Sequence, residues 1–300
     1  MPDTPDRNLS ALENGHRVRE PAVAGRFYPG ERADLASQID AFFNDVDAAG
    51  ESDETIPSKG AIRALIAPHA GYLFSGLTAA HAFKLLQSAT GESGCAQVPQ
   101  FKRVVHIGPS HFVRFFGIAT LSVDAVATLF GEIELDRDAI AQAMTLPFVE
   151  QFDQAHSREH GLEVHWPFLQ SVFGDAFEVI PFVFSDSSGE QCARLIELLC
   201  KDEQTLVVVS SDLSHFHDYD TAQKMDHATC QAIEQLRPDQ ISNDQACGRF
   251  AVQGLLIHAA AQGWQVKTLD MRNSGDSHVP NADRSRVVGY GAWLFTDAED

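Results

Sequence analysis

Short, nearly unbroken apolar runs recur along this chain, separated by longer stretches in which apolar residues return every three or four positions. Residues 64–67, 104–107 and 206–209 are almost wholly apolar, the pattern of strands covered on both faces. Residues 177–184, 266–269 and 287–295 read as further strands, and 76–86, 191–200, 221–236 and 245–261 as helices. After the turn signal Phe27-Tyr28-Pro29-Gly30, the residues Leu35, Ile39, Phe42 and Phe43 share one helical stripe. Strands alternating with helices predict an α/β fold: a single domain whose central sheet, largely parallel or mixed, is flanked by helices. The polar opening through His16 has no apolar face to offset the entropy of ordering it. Residues 1–18 are therefore expected to be disordered, with one domain over 19–300 and a surface loop in the acidic stretch 48–59.

Composition narrows the function classes. With 300 residues, 44% of them hydrophobic, one core is still sufficient. Lys and Arg total 22 against 42 Asp and Glu, a net charge of -20 that repels nucleic acid and anionic membrane surfaces. The expected partner is a small molecule of unknown identity, with a protein partner left open. Five cysteines without a C-x-x-C pair, and an odd count, fit reduced thiols. The first thirty residues lack an apolar h-region, so the expected compartment is the cytoplasm.

Titratable residues gather just past the carboxyl ends of the expected strands, where open α/β sheets bind ligands. His69 follows the first run, Ser110-His111 the second and Ser211-Asp212-Leu213-Ser214-His215 the fourth, while Asn273-Ser274-Gly275-Asp276-Ser277-His278 follows the run at 266–269. His69 and His111 are the expected metal pair, since imidazole suits iron, copper and zinc; a hydrogen-bonded structural histidine is the competing reading. Asp212 could orient His215 as a general acid or base, or else Ser211 or Asp212 caps a helix. His217 and His227 read as surface residues. The string His160, Glu163, His165 lacks zincin spacing, and Pro167 places a helix start near it, leaving Glu163 or His165 a supporting role. Cys247 opens an apolar helix and reads as a buried, inert thiol. There is no G-x-S-x-G elbow and no phosphate-binding G-x-x-x-x-G-K loop.

These blocks resemble one family. Ala67-Pro68-His69-Ala70-Gly71-Tyr72 with Ser75-Gly76, Gly108-Pro109-Ser110-His111, Ser210-Ser211-Asp212-Leu213-Ser214-His215 and Ala246-Cys247-Gly248-Arg249 look like the signatures of the Memo family. Arg19, Ala24-Gly25-Arg26-Phe27-Tyr28-Pro29 and Glu159-His160-Gly161-Leu162-Glu163 match its other blocks, so the resemblance spans nearly the whole chain. In prokaryotes the family is also called AmmeMemoRadiSam system protein B. The resemblance implies a fold similar to class III extradiol-type non-haem iron dioxygenases, metal-ligand roles for His69 and His111, and pocket roles for Asp212 and His215. It also implies a third ligand, a cysteine in eukaryotic members, from the loop that here holds Ser277 and no cysteine; Asp276 or His278 is the donor expected instead. The implied cofactor is a divalent metal, iron first, with copper or zinc as alternatives. The implied activity is a dioxygenase-like oxidoreductase, against a zinc-type hydrolase or a binding protein that keeps the pocket without turnover.

Overall fold

The computed structural model describes residues 9–11, 15–48, 62–87, 101–277 and 282–298. The chain enters through β1 (Leu9–Ala11), β2 (Arg17–Arg19), α1 (Arg32–Ala48), β3 (Ile62–Ala67), α2 (Tyr72–Gln87) and β4 (Arg103–Pro109). A middle section holds β5 (Ile118–Thr120), β6 (Ala125–Thr128), β7 (Gly131–Glu134), α3 (Arg137–Ala143), β8 (Val149–Gln151), α4 (Asp153–His156) and α5 (Trp166–Phe173). Then come β9 (Glu178–Phe184), α6 (Gly189–Leu199), β10 (Thr205–Ser210), β11 (His215–His217), α7 (Tyr219–Glu234), α8 (Arg249–Gln262), β12 (Gln265–Asn273) and β13 (Val287–Thr296).

The main sheet has the order β11-β13-β3-β10-β4-β9-β5-β8, with β12 paired to β13. Its centre, β3-β10-β4-β9, is parallel, and β13 closes on β3 antiparallel. The three continuous apolar runs are thus interior strands of a mixed sheet, as expected. Val207 sits opposite both Ala64 and Val105, and every residue of β10 is buried. Helices α2 and α8 pack on this sheet, α1 and α5 against α2, and α6 against α8. No helix among the described residues is long and apolar enough to cross a membrane. The strands β5 to β8, of three or four residues each, were too short to leave a period in the sequence.

A second sheet, β1-β2-β6-β7, carries the amino-terminal segment. Within the stretch expected to be disordered, Leu9 pairs with Arg19 and Ala11 with Arg17; residues 1–8 and 12–14, like the loop expected over 48–59 beyond Ala48, lie outside the described residues. What fastens this segment is Glu163. Its fully buried carboxylate accepts hydrogen bonds from the Ala22 and Val23 amides at 2.7 and 2.9 Å, from Tyr28 Oη at 2.8 Å and from Arg19 Nη1 at 2.8 Å. Arg19 spends its other donors on the His156 carbonyl at 2.9 Å and the Glu159 carbonyl at 2.6 Å, and its guanidinium lies 5.1 Å from the Trp166 ring centre. Glu163 therefore has no lone pair to spare for a metal.

Two buried histidines predict the acid limit of this fold. His165 Nε2 donates to the Pro68 carbonyl at 2.7 Å and His156 Nε2 to the Ala119 carbonyl at 3.1 Å. Burial pushes both from the ordinary 6.5 down to about 4. Both stay neutral when folded and take up protons when unfolded, so their stabilisation is complete above pH 6.5 and is lost as pH falls towards 4. Each contributes a slope of up to about 1.4 kcal/mol per pH unit there. Urea midpoints at pH 7.5, 6 and 5 should fall steadily; a midpoint unchanged from 7.5 to 5 would refute it.

Candidate metal centre

Because β3, β10 and β4 are parallel neighbours, their carboxyl ends deliver His69, Ser210-Ser211-Asp212 and Ser110-His111 to one edge of the sheet. His69 is buried, and its amide donates to Asp212 Oδ1 at 2.7 Å. Its Nδ1 lies 2.6 Å from Ser210 Oγ. Ser210 Oγ donates to the Gly161 carbonyl; having one proton, it can only accept from His69, so Nδ1 carries the hydrogen and Nε2 the lone pair. Burial holds this imidazole neutral, well below its ordinary pKa.

His111 is set the same way by a different partner. Glu159 Oε1 accepts from His111 Nδ1 at 2.8 Å and Oε2 from the His111 amide at 2.6 Å. Glu159 also accepts from the His160 and Gly161 amides at 2.9 and 2.8 Å. Burial raises the pKa of this carboxyl, but the hydrogen bonds and His111 outweigh it and leave the group below its ordinary value. Burial likewise lowers His111, and Glu159 more than reverses the effect. The His111 Nε2 is left free, and the two rings approach with centroids 5.0 Å apart. Gly161 keeps the space open: a Cβ there would stand 3.2 Å from Glu159 Oε1 and 3.6 Å from both rings.

The third member of this group is Cys247, which reads from the sequence as an inert thiol opening a helix. The helix expected over 245–261 opens only at Arg249, because the residues before it are drawn into a turn against β10. Cys247 N donates to the Asp212 carbonyl at 3.2 Å and Gly248 N to Ser211 Oγ at 2.9 Å. A Cβ on Gly248 would fall 2.5 Å from the Ser210 carbonyl oxygen, so only glycine lets the turn close. Cys247 Sγ consequently faces His69 Nε2 at 3.3 Å and accepts the Asp212 amide at 3.2 Å. Burial, then the Asp212 charge, raise this thiol above its ordinary range. One ligand atom from each of His69, His111 and Cys247 lies within 4.8 Å of the other two. Gly248→Ala should displace Cys247 and destabilise the chain by about 1–3 kcal/mol, the usual cost of overpacking. Thermal melts with a zinc titration test it; an unchanged melt and affinity would refute the turn's role.

Other expectations fare differently. No hydrogen bond joins Asp212 to His215 among the described residues; burial pushes Asp212 up to about 6 against the pull of the His69 amide. His215 Nδ1 donates to the Leu213 carbonyl at 2.8 Å, leaving its Nε2 free. Asp276 caps a turn: Oδ2 accepts the Asn273 amide at 3.0 Å and Oδ1 the Tyr219 hydroxyl at 2.7 Å. It belongs to none of the metal-competent groups among the described residues, and His278 lies outside them. Sequence reasoning also passed over Glu159 and His160, which with His111 form a second such group. His160 stacks on His111 at 4.5 Å, and burial holds its pKa at about 4. A histidine directly after an acid, in the Glu159-His160 block, was the available signal.

A cleft of about 500 Å³ opens onto this centre, with Cys247 and His111 in its lining alongside Phe112, Phe184, Arg249 and Phe250. A sequence model of the family described as Memo-like protein matches residues 19–294. The chain is similar to a MEMO1 family protein of Nitrosopumilus maritimus, 30% identical over 93% of this chain and 99% of the relative. It is likewise similar to one of Aquifex aeolicus, 32% identical over 93% and 99%, and to one of Methanopyrus kandleri, 32% identical over 92% and 98%.

Proposed function

The chain belongs to the Memo-like protein family, and from that premise we propose that it is a metal-dependent oxidoreductase acting on a small molecule, with His69, His111 and Cys247 as the ligands. The observation that carries this reading is the convergence of two imidazoles, each with Nδ1 tied off by a partner and Nε2 free, on one thiol. Three protein donors leave a coordination position open, the mark of a catalytic rather than a structural site. A thiol beside two imidazoles favours copper or zinc over the ferrous iron that an oxygen donor such as Asp276 would have favoured. When bound, such an ion supplies Lewis-acid or redox chemistry at its open position.

The protein's own residues supply the rest. Ser210 and Glu159 hold the two ring orientations, as partners of ligating histidines do. His215, its Nδ1 hydrogen committed to Leu213, presents Nε2 as the group that takes or returns a proton. That free nitrogen, on a histidine close enough to His69 for their charges to interact, would also suit a zinc hydrolase, the second reading. Elemental analysis of protein purified without oxygen separates the two: copper or iron supports the oxidoreductase, zinc the hydrolase, and a site that refuses every metal overturns both. Glu159→Gln should weaken metal binding by about 10–100-fold, the usual effect of removing a histidine's partner. Calorimetric titration with zinc reads it, and unchanged affinity would remove Glu159 from the centre.

A further inference from the structure

We propose that the cleft beside Cys247 and His111 takes a ligand with a carboxylate on a flat, apolar body, and that Arg249 is the residue that reads the carboxylate. This deepens the metal-dependent reading and rests on it only for the chemistry after binding. Three aromatic rings stand in the lining: Phe184 and Phe250 meet edge to face at 5.6 Å, and Phe112 is 48% exposed. Several polar groups in the lining are already engaged. Ser110 Oγ donates to the Val113 carbonyl at 2.8 Å, and Asp186 pairs with Arg114 at 2.9 Å.

Arg249 differs. Its guanidinium lies 4.0 Å above the Phe250 ring, and no carboxylate or carbonyl among the described residues pairs with it. The chain carries 42 acidic residues against 22 basic ones, so a partly covered arginine without an acidic neighbour is a cation kept available. Stacking fixes the plane of the fork and leaves its N–H edge for a planar, bidentate anion. Helix α8 begins at this residue with no side-chain cap on Gly248, which adds the positive end of its dipole. On the rim, Arg158 lies 4.9 Å over Phe112, a second guanidinium at the entrance. A carboxylate held two residues from Cys247 would place the ligand's body beside Cys247 and His111, the two candidate donors in the lining.

Calorimetric titration of the full chain at low ionic strength with benzoate, its neutral isostere benzamide and inorganic phosphate tests this. Benzoate should bind at least about tenfold more tightly than benzamide. Arg249→Gln should weaken benzoate by about tenfold or more without changing benzamide, and Phe112→Ala should weaken both. Equal binding of benzoate and benzamide, or no effect of Arg249→Gln, overturns the proposal. Displacement of benzoate by an equal concentration of phosphate overturns its aromatic half. A parent chain that binds benzoate but no metal sinks the metal reading alone; metal without benzoate sinks this one alone.

Discussion

Cys247→Ser should leave the fold intact and weaken zinc or cuprous copper binding by more than about a hundredfold. The bound on the effect comes from comparison: losing a partner of a ligating histidine costs about 10–100-fold, so losing a ligand must cost more. Serine is isosteric, and the turn around it is held by backbone donors, the Cys247 amide on the Asp212 carbonyl and the Gly248 amide on Ser211 Oγ; these survive the change. His69→Ala should match it, whereas Asp276→Ala should leave affinity as it was, because its carboxylate caps a turn. Competition titration against a chromophoric chelator reads all three. Were Asp276→Ala to abolish binding while Cys247→Ser did not, the donor set would be wrong.

Arg19→Met should destabilise the protein by about 3–5 kcal/mol, because it strands the Glu163 carboxylate without a counter-charge. At this chain length that is a fall on the order of 10 °C in melting temperature. Arg19→Lys should rescue little: Nε, Nη1 and Nη2 reach the His156 carbonyl, Glu163 and the Glu159 carbonyl in three directions, and one ammonium cannot serve that fork. Glu163→Gln should cost a similar amount, since its one NH2 group would face either the Ala22 and Arg19 donors or the Val23 and Tyr28 donors. Since Arg19 also steadies the Glu159 loop, Arg19→Met should weaken metal binding too. Calorimetric melts with and without zinc distinguish the two losses. A melting point within a degree or two of the parent would show the pair to be dispensable.

The Memo blocks and the apolar runs were legible without coordinates, and they located His69 and His111 at the right strand ends. The meeting of Cys247 with them was not legible, although Ala246-Cys247-Gly248-Arg249 was among the blocks that carried the resemblance. Read locally, Cys247 continues an apolar helical stripe; only the contact between Gly248 and β10 breaks that helix and turns the thiol inward. Asp276 was legible only in part. Its turn was legible, but its carboxylate is consumed within that turn and by Tyr219.

By itself the sequence determined the central strands, because a run of apolar residues with no polar alternation can be stable only when covered on both faces. It placed as well His69, His111 and Asp212 in the loops after those strands. Tertiary structure alone decided which side chains meet. Cys247 and His69 are separated by 178 positions, and His111 and Glu159 by 48. Whether a given Asp, Glu or Cys caps a turn, anchors a segment or faces a metal depends on which donors the packing brings within about 3 Å of it, and no local pattern of residues encodes that.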